Sequence, residues 1–79
     1  MPSSYNPDAI SAAVQRVMAL GTDNVNLWVN EDKQHCFDVG WQDIRVRGVG
    51  NDAVSAVEAG ERKLRDAIAA AHPEVDLPE

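Results

Sequence analysis

Apolar residues recur at intervals of three and four near both ends of the chain and at intervals of two in its middle. The first helical pattern follows Asn6 and Pro7, a residue typical of N-caps and one favoured at the first helical position. Gly21 follows the pattern and is typical of a left-handed C-terminal cap. An amphipathic helix is therefore predicted from Pro7 to Leu20, with an apolar stripe of Ile10, Ala13, Val14, Val17 and Met18.

Strict alternation of apolar and polar residues then predicts strands with one buried face. The first strand would bury Val25, Leu27 and Val29. After a polar turn at 30–33, the second strand, Gln34 to Trp41, would bury His35, Phe37, Val39 and Trp41 and turn Gln34, Cys36, Asp38 and Gly40 the other way. A two-residue turn at Gln42-Asp43 leads to a third strand with Ile44 and Val46 inward, which completes an antiparallel meander.

The last apolar pattern is again helical. Gly48-Val49-Gly50 is expected to interrupt the third strand and lead to Asn51 or Asp52 as the N-cap. One face of the predicted helix consists of residues at alternating spacings of three and four: Val54, Val57, Glu61, Leu64, Ile68 and Ala71. The pairs Glu58 to Arg62 and Glu61 to Arg65 are expected to support it. Pro73 ends the helix, so residues 1–72 are predicted to form one domain and 73–79 an acidic, mobile tail.

The order of these elements predicts an α+β fold, α-β-β-β-α, in which both helices cover one face of a three-stranded antiparallel sheet. The opposite face would stay open and place Trp28 beside Cys36, Asn26 beside Asp38, and Asp38 opposite Arg47, with Arg45 alongside. A slip of one residue in the second strand would instead bury Cys36 and expose Phe37, and the turn before it lacks a glycine to fix the register.

The charge distribution bears on possible partners. The chain of 79 residues has 13 acidic and 7 basic side chains, for a net charge of -6. Half of that charge comes from Glu74, Asp76 and Glu79 in the tail. The body is too balanced for DNA mimicry to be the first expectation. With no long apolar run and no signal-peptide pattern, we expect a cytoplasmic protein without contact to a membrane.

Candidate catalytic and metal-binding residues are few. His35 and Cys36 are adjacent on a strand and point to opposite faces, and His72 lies at a helix end. Neither a metal site nor a nucleophilic Cys–His pair fits that geometry. Asp38 and Asp43 are more simply interpreted as ion-pair partners of the nearby arginines. We therefore expect no enzyme, no metal and no cofactor.

The segment His35-Cys36-Phe37-Asp38-Val39, the glycines Gly48 and Gly50 before the last helix, and the order of elements resemble a double-stranded RNA-binding domain over residues 7–72. That family holds phosphates with a basic pair at the start of the last helix and with a turn containing Gly, Pro and His. The matching positions here are Asp52-Ala53-Val54 and the acidic turn at 30–33. The resemblance implies the fold, whereas the missing basic residues predict weak or no RNA binding.

These observations favour a non-enzymatic module that binds a protein or ribonucleoprotein complex. In size and acidity the chain is similar to small accessory proteins of phages and mobile elements, including the anti-CRISPR inhibitors. The candidate binding residues lie on the open sheet face or on the outer face of the last helix: Trp28, Asp38, Arg45, Arg47, Arg62 and Lys63. Two alternatives remain, a degenerate RNA-binding domain and a homodimer formed through the open face or an edge strand.

Overall fold

The predicted order of elements is present in the computed structural model, which describes residues 7–77. Helix α1 spans Pro7–Met18 and helix α2 spans Ala53–Ala71, and between them lie β1 (Asp23–Val29), β2 (His35–Trp41) and β3 (Ile44–Gly50). The strands form one antiparallel sheet in the order β1-β2-β3. The α-β-β-β-α prediction is thereby confirmed, while the predicted N-cap Asn6 lies outside the described residues.

Helix α1 ends at Met18, two residues before the predicted end at Leu20. The backbone N–H of Leu20 donates to the Val17 carbonyl, and that of Gly21 donates to the Met18 carbonyl. These tighter bonds close the helix, and Gly21 follows with a φ of 86°, the left-handed conformation that its position predicted.

One hydrophobic core lies between the helices and the sheet. Phe37, Val17, Val57, Leu64 and Ile68 are completely buried there. Helix α2 packs across β3 and β2, and α1 packs against α2. The opposite face of the sheet therefore carries no helix, as the sequence predicted.

The buried side of β1 departs from the prediction. Val25 packs against the core, but the exposed fractions of Leu27 and Val29 are 36% and 54%. The alternation of β1 is correct, yet these two side chains point to a region that α2 does not reach, since α2 lies over β3 and β2. A β-bulge between Asp23 and Asn26, with Asn24 at a φ of 52°, adds a second irregularity to β1.

The expected strand break at Gly48-Val49-Gly50 is also wrong, because β3 continues through Gly50. Gly48 is a regular strand residue, paired with Phe37. A Cβ at Gly48 would lie 2.2 Å from the Ala56 carbonyl oxygen and 2.2 Å from the Gly60 backbone nitrogen. The glycine therefore allows the α2 backbone to pack directly on the strand, and it makes no turn.

Both ends of α2 are capped within the chain. The N-cap is Asp52, whose Oδ1 accepts a hydrogen bond of 2.8 Å from the Ser55 backbone N–H. That bond to Ser55 lowers the pKa of the Asp52 carboxyl below its usual value. At the other end, the His72 N–H donates to the Ile68 carbonyl. Beyond Pro73, Val75 and Leu77 pack against the core, so the tail is in contact with the domain as far as it is described, and its mobility stays a prediction.

Candidate partner-binding surface

Side chains from all three strands cover the sheet face opposite the helices, which we call the open face. They form three cross-strand rows: Trp28, Cys36 and Val49; Asn26, Asp38 and Arg47; Asp23, Gly40 and Arg45. The three neighbour relations predicted from the sequence, Trp28 with Cys36 and Asp38 with both Asn26 and Arg47, are confirmed by this register.

At the centre of the open face, Trp28, Asp38 and Arg47 contact one another and form what we call the Trp28 cluster. Arg47 Nε donates to Asp38 Oδ1 at 2.7 Å, and Arg47 Nη2 lies 3.4 Å from Asp38 Oδ2. Trp28 Nε1 donates to the same Oδ2 at 3.1 Å. The Arg47 guanidinium carbon stands 5.1 Å from the centre of the Trp28 ring, within the range of a cation–π contact. Each pair in the cluster is thus in direct contact, and this fixes the orientation of the indole and the guanidinium.

The electrostatics of the cluster follow from these bonds. The hydrogen bond from Arg47 is the main cause that holds the pKa of the Asp38 carboxyl below its ordinary value of 3.8, with the Trp28 N–H and the Arg47 charge acting in the same direction. The same hydrogen bond raises the pKa of Arg47. The charged pair is therefore the stable form across the physiological pH range.

This depressed pKa predicts a pH-dependent stability. A carboxyl whose pKa is lower in the folded state stabilises the fold above its unfolded pKa and loses that contribution as the pH falls through the folded value. We expect Asp38→Asn to be less stable than the wild type in urea at neutral pH, and the difference to shrink as the pH falls below the ordinary aspartate value of 3.8 and through the lower folded-state pKa of Asp38. Asp66→Asn, which removes an exposed carboxylate from α2, is the control for the loss of one negative charge. A difference for Asp38→Asn that stays constant with pH would contradict the prediction.

Beside the Trp28 cluster lies a groove of about 580 Å³, which Arg45 lines together with Asn24, Asn26, Asp38 and Arg47. Arg45 Nη1 lies close over Gly40. With the Asn24 amide turned so that its oxygen faces the guanidinium, that oxygen accepts hydrogen bonds of 2.9 Å from Nη1 and 3.2 Å from Nη2. Within residues 7–77, no carboxylate lies at salt-bridge distance from Arg45. Arg45 is therefore bonded to the Asn24 amide and forms no ion pair among these residues, although the Asp23 carboxylate, its neighbour across Gly40, also lies over that glycine.

Neither Asn24 nor Asn26 was among the predicted binding residues, although Asn26 was placed beside Asp38 on the open face. Asn24 reaches Arg45 because it sits at the β-bulge with a positive φ, a conformation that asparagine tolerates better than most residues. The only sequence signal was the recurrence of asparagine at alternate positions in a strand, where asparagine is uncommon.

Cys36 behaves differently from the prediction. The register is the predicted one and Phe37 is fully buried, yet Cys36 on the open face is only 1% exposed. Its neighbours in the row, Trp28 and Val49, flank it on both sides and exclude solvent. Burial of this free thiol therefore results from its large neighbours and not from a slipped strand.

The other two predicted binding residues, Arg62 and Lys63, belong to α2. Lys63 Nζ donates to the Arg47 backbone carbonyl at 2.9 Å, at the outer edge of β3. Arg62 lines a second groove, about 340 Å³, with Arg16, Glu58, Glu61 and Arg65. In that groove the predicted Glu61–Arg65 pair forms at 3.1 Å, whereas Glu58 lies 3.8 Å from Arg16 on α1. The structure thus brings Trp28, Asp38, Arg45 and Arg47 together, joins Lys63 to the backbone of Arg47 at the edge of the sheet, and places Arg62 in a separate groove.

His72, the remaining histidine considered as a metal ligand, is in contact with other residues of the fold. His72 lies against Trp41, with ring centres 5.5 Å apart, and its Nε2 is 3.7 Å from Asp43 Oδ1. Across residues 7–77, no group of three or more His, Cys, Asp or Glu side chains is arranged to hold a metal ion. Neither α1 nor α2 combines the length and apolarity needed to cross a bilayer.

No family model, curated protein or solved structure matches this chain. The surface chemistry of the described residues is therefore the basis for assigning a role.

Proposed function

We propose that this chain is a non-enzymatic protein-binding module that acts by occupying the surface of a protein or ribonucleoprotein partner, as small phage inhibitors such as the anti-CRISPR proteins do. The observation that carries the proposal is the Trp28 cluster. Tryptophan and arginine are the residues most enriched among those that dominate binding energies. Here both are half-exposed or exposed and are already held by Asp38.

Prior ordering of these side chains favours binding. A long arginine side chain that becomes fixed only on association loses conformational freedom, at a cost of about 0.5 to 1.5 kcal/mol. In the Trp28 cluster, the salt bridge to Asp38 and the contact with the indole have already fixed Arg47. The planar Trp28 and Arg47 groups can therefore serve as anchors at a low entropic cost.

Arg45 suggests what the partner presents to this surface. Arg47 is paired with Asp38, whereas Arg45 forms no ion pair among the described residues and lies beside an open groove with two asparagine amides. Guanidinium and amide N–H groups together bind carboxylates well. We therefore expect an aspartate, a glutamate or a chain-terminal carboxylate of the partner to contact Arg45.

Binding of duplex RNA, the role suggested by the resemblance to RNA-binding domains, has less support. The start of α2, where that family places a basic pair, is capped here by the Asp52 carboxylate. A phosphate at that position would meet a negative charge and no lysine or arginine. Weak or absent binding of duplex RNA is therefore expected even at low salt, and a salt-dependent shift of duplex RNA near physiological ionic strength would support the alternative role instead.

The proposal is tested by capturing partners from the native host with the full chain and then measuring affinity for the captured protein. The variant Trp28→Ala/Arg45→Ala/Arg47→Ala should lose about 30-fold or more in affinity, which corresponds to roughly 2 kcal/mol. The matched variant Glu58→Ala/Arg62→Ala/Asp66→Ala removes three exposed side chains from the outer face of α2 and should bind as the wild type does.

Circular dichroism and thermal unfolding must show that both triple variants stay folded. The opposite result, with binding lost in the α2 variant and kept in the open-face variant, would place the interface on α2 and contradict the proposal. Unchanged binding in the open-face variant alone would also exclude this surface.

A further inference from the structure

The two edges of the sheet differ in how they are protected. In the order β1-β2-β3, both β1 and β3 have one side without a neighbouring strand. At β3, Lys63 Nζ donates to the Arg47 carbonyl. Natural proteins commonly protect strand edges by covering them or by placing lysine on them. The β3 edge is therefore protected.

The β1 edge has a β-bulge between Asp23 and Asn26 but no comparable protection beyond it. Among residues 7–77, β1 packs mainly against β2, and no side chain donates a hydrogen bond to a β1 carbonyl as Lys63 does at β3. From Asn24 to Asn30 the chain contains neither a charged residue nor a proline. Leu27 and Val29, 36% and 54% exposed, point to the helix side of this same edge. The edge thus combines free backbone groups with uncovered apolar side chains.

We propose that β1 pairs antiparallel with β1 of a second copy of this chain, around a two-fold axis, so that the two three-stranded sheets become one continuous sheet. Unpaired backbone N–H and C=O groups along an edge are best satisfied by another strand. The uncharged segment Asn24 to Asn30 places no like charges opposite each other when it pairs with itself.

The bulge in β1 defines the register of this pairing. The ladder is irregular between Asp23 and Asn26, so the regular part of the strand begins at Asn26. The antiparallel register that uses only this part is centred on Trp28. It places Leu27 of one copy opposite Val29 of the other, on the helix side, and the two Trp28 residues opposite each other on the open face. Both pairs of helices then lie on the same side of the joined sheet.

The pairing would have a consequence for the open face. Since Trp28 lies on β1, the two Trp28 clusters would come together near the dimer axis and form one surface of twice the extent. The inference does not depend on the proposed function, because it rests on the edge and on Leu27 and Val29.

Sedimentation velocity of the full chain, from micromolar to millimolar concentration, tests the pairing. We expect a concentration-dependent monomer–dimer equilibrium. Val29→Lys should raise the dissociation constant about tenfold or more, because the two-fold axis introduces the lysine twice. Met18→Lys, at an apolar position on α1 with 56% exposure, is the matched control and should leave the equilibrium unchanged.

Val49→Lys distinguishes this dimer from other arrangements. Val49 is 40% exposed on β3 and lies on the open face. A dimer weakened by Val49→Lys and not by Val29→Lys would indicate stacking of open faces or pairing through β3, and would overturn the proposal. A chain that stays monomeric at millimolar concentration would overturn it as well.

Hydrogen exchange gives a readout that does not depend on a variant. In the wild type, the outward-pointing backbone amides of Leu27 and Val29 should exchange more slowly as the protein concentration rises, since Asn30 and therefore Trp28 point their N–H groups toward β2. Outward amides of β3 should be unaffected. Exchange from β1 that is independent of concentration, in a sample shown to contain dimer, would contradict pairing through this edge.

Discussion

Replacement of Gly48 by alanine is expected to unfold most of the protein at room temperature. The new methyl group would lie 2.2 Å from both the Ala56 carbonyl oxygen and the Gly60 nitrogen. Both are backbone atoms of α2, so relief requires the whole helix to move away from β3. Overpacking of this kind costs roughly 3 kcal/mol or more, which is close to the total stability available to so small a domain.

Gly40→Ala is the matched control for this prediction. It places the same methyl group on the same sheet, but the atoms it meets are Asp23 Oδ1 at 2.6 Å and Arg45 Nη1 at 3.0 Å. Both belong to side chains that can turn aside. Urea denaturation followed by far-ultraviolet circular dichroism should show a stable fold for Gly40→Ala and a fold largely lost for Gly48→Ala. Equal midpoints for the two variants would mean that α2 does not pack on β3 as closely as described.

Replacement of Trp41 by phenylalanine is expected to lower the free energy of unfolding by about 2 kcal/mol, and replacement by alanine by roughly 3 to 5 kcal/mol. Trp41 is 6% exposed, and its Nε1 donates a hydrogen bond of 2.9 Å to the Leu20 carbonyl at the end of α1. Phenylalanine leaves that carbonyl without its donor and a gap beside His72. The bond joins the end of α1 to β2, so its loss also weakens the attachment of the helix.

Trp28→Phe makes the same chemical change in a different environment. The Trp28 N–H also has an acceptor, Asp38 Oδ2, but that carboxylate keeps its bonds to Arg47 and is partly open to water. The free energy of unfolding should therefore fall by less than in Trp41→Phe. Urea titration of both variants measures the order, and a larger loss for Trp28→Phe would show that the open-face cluster, and not the Trp41 bond, is the more important structural contact.

The difference between the two tryptophans illustrates how structure separates stability from binding. Trp41 is enclosed by core residues, and its polar atom is used within the fold. Trp28 has an equally well-placed polar atom, but its ring lies on the face without a helix. This is why we assign a binding role to Trp28 and a structural role to Trp41.

Local patterns were sufficient for the order and type of the elements. The glycine at position 21, the two-residue turn before Ile44 and the alternation in β2 depend on backbone conformation and on side-chain period within a few residues. The neighbours across β2 and β3 followed too, because the two-residue turn between these strands fixes their register, whereas the predicted β1–β2 register had no such turn to fix it and is confirmed by the structure. Trp28, Asp38, Arg45 and Arg47 could thus be grouped from the sequence.

Errors arose where an outcome depended on distant parts of the chain. Whether Leu27 and Val29 are covered depends on where α2 lies over the sheet. Gly48 looked like a break because its close contact with Ala56 and Gly60 forms only when α2 folds back onto β3. Cys36 is buried by Trp28 and Val49, residues on two other strands.

The sequence by itself therefore determined the elements, their order, the meander and the residues that share the open face, since these follow from local periodicity and turn chemistry. Only the tertiary structure decided that Asp38 holds Trp28 and Arg47 together, that Arg45 is bonded to Asn24, and that Leu27 and Val29 at the β1 edge are uncovered. The first two depend on contacts between side chains of different strands and on the bulge in β1. The third depends on the position of α2 over β3 and β2, where it packs closely at Gly48 and Gly60, and such packing has no local signature.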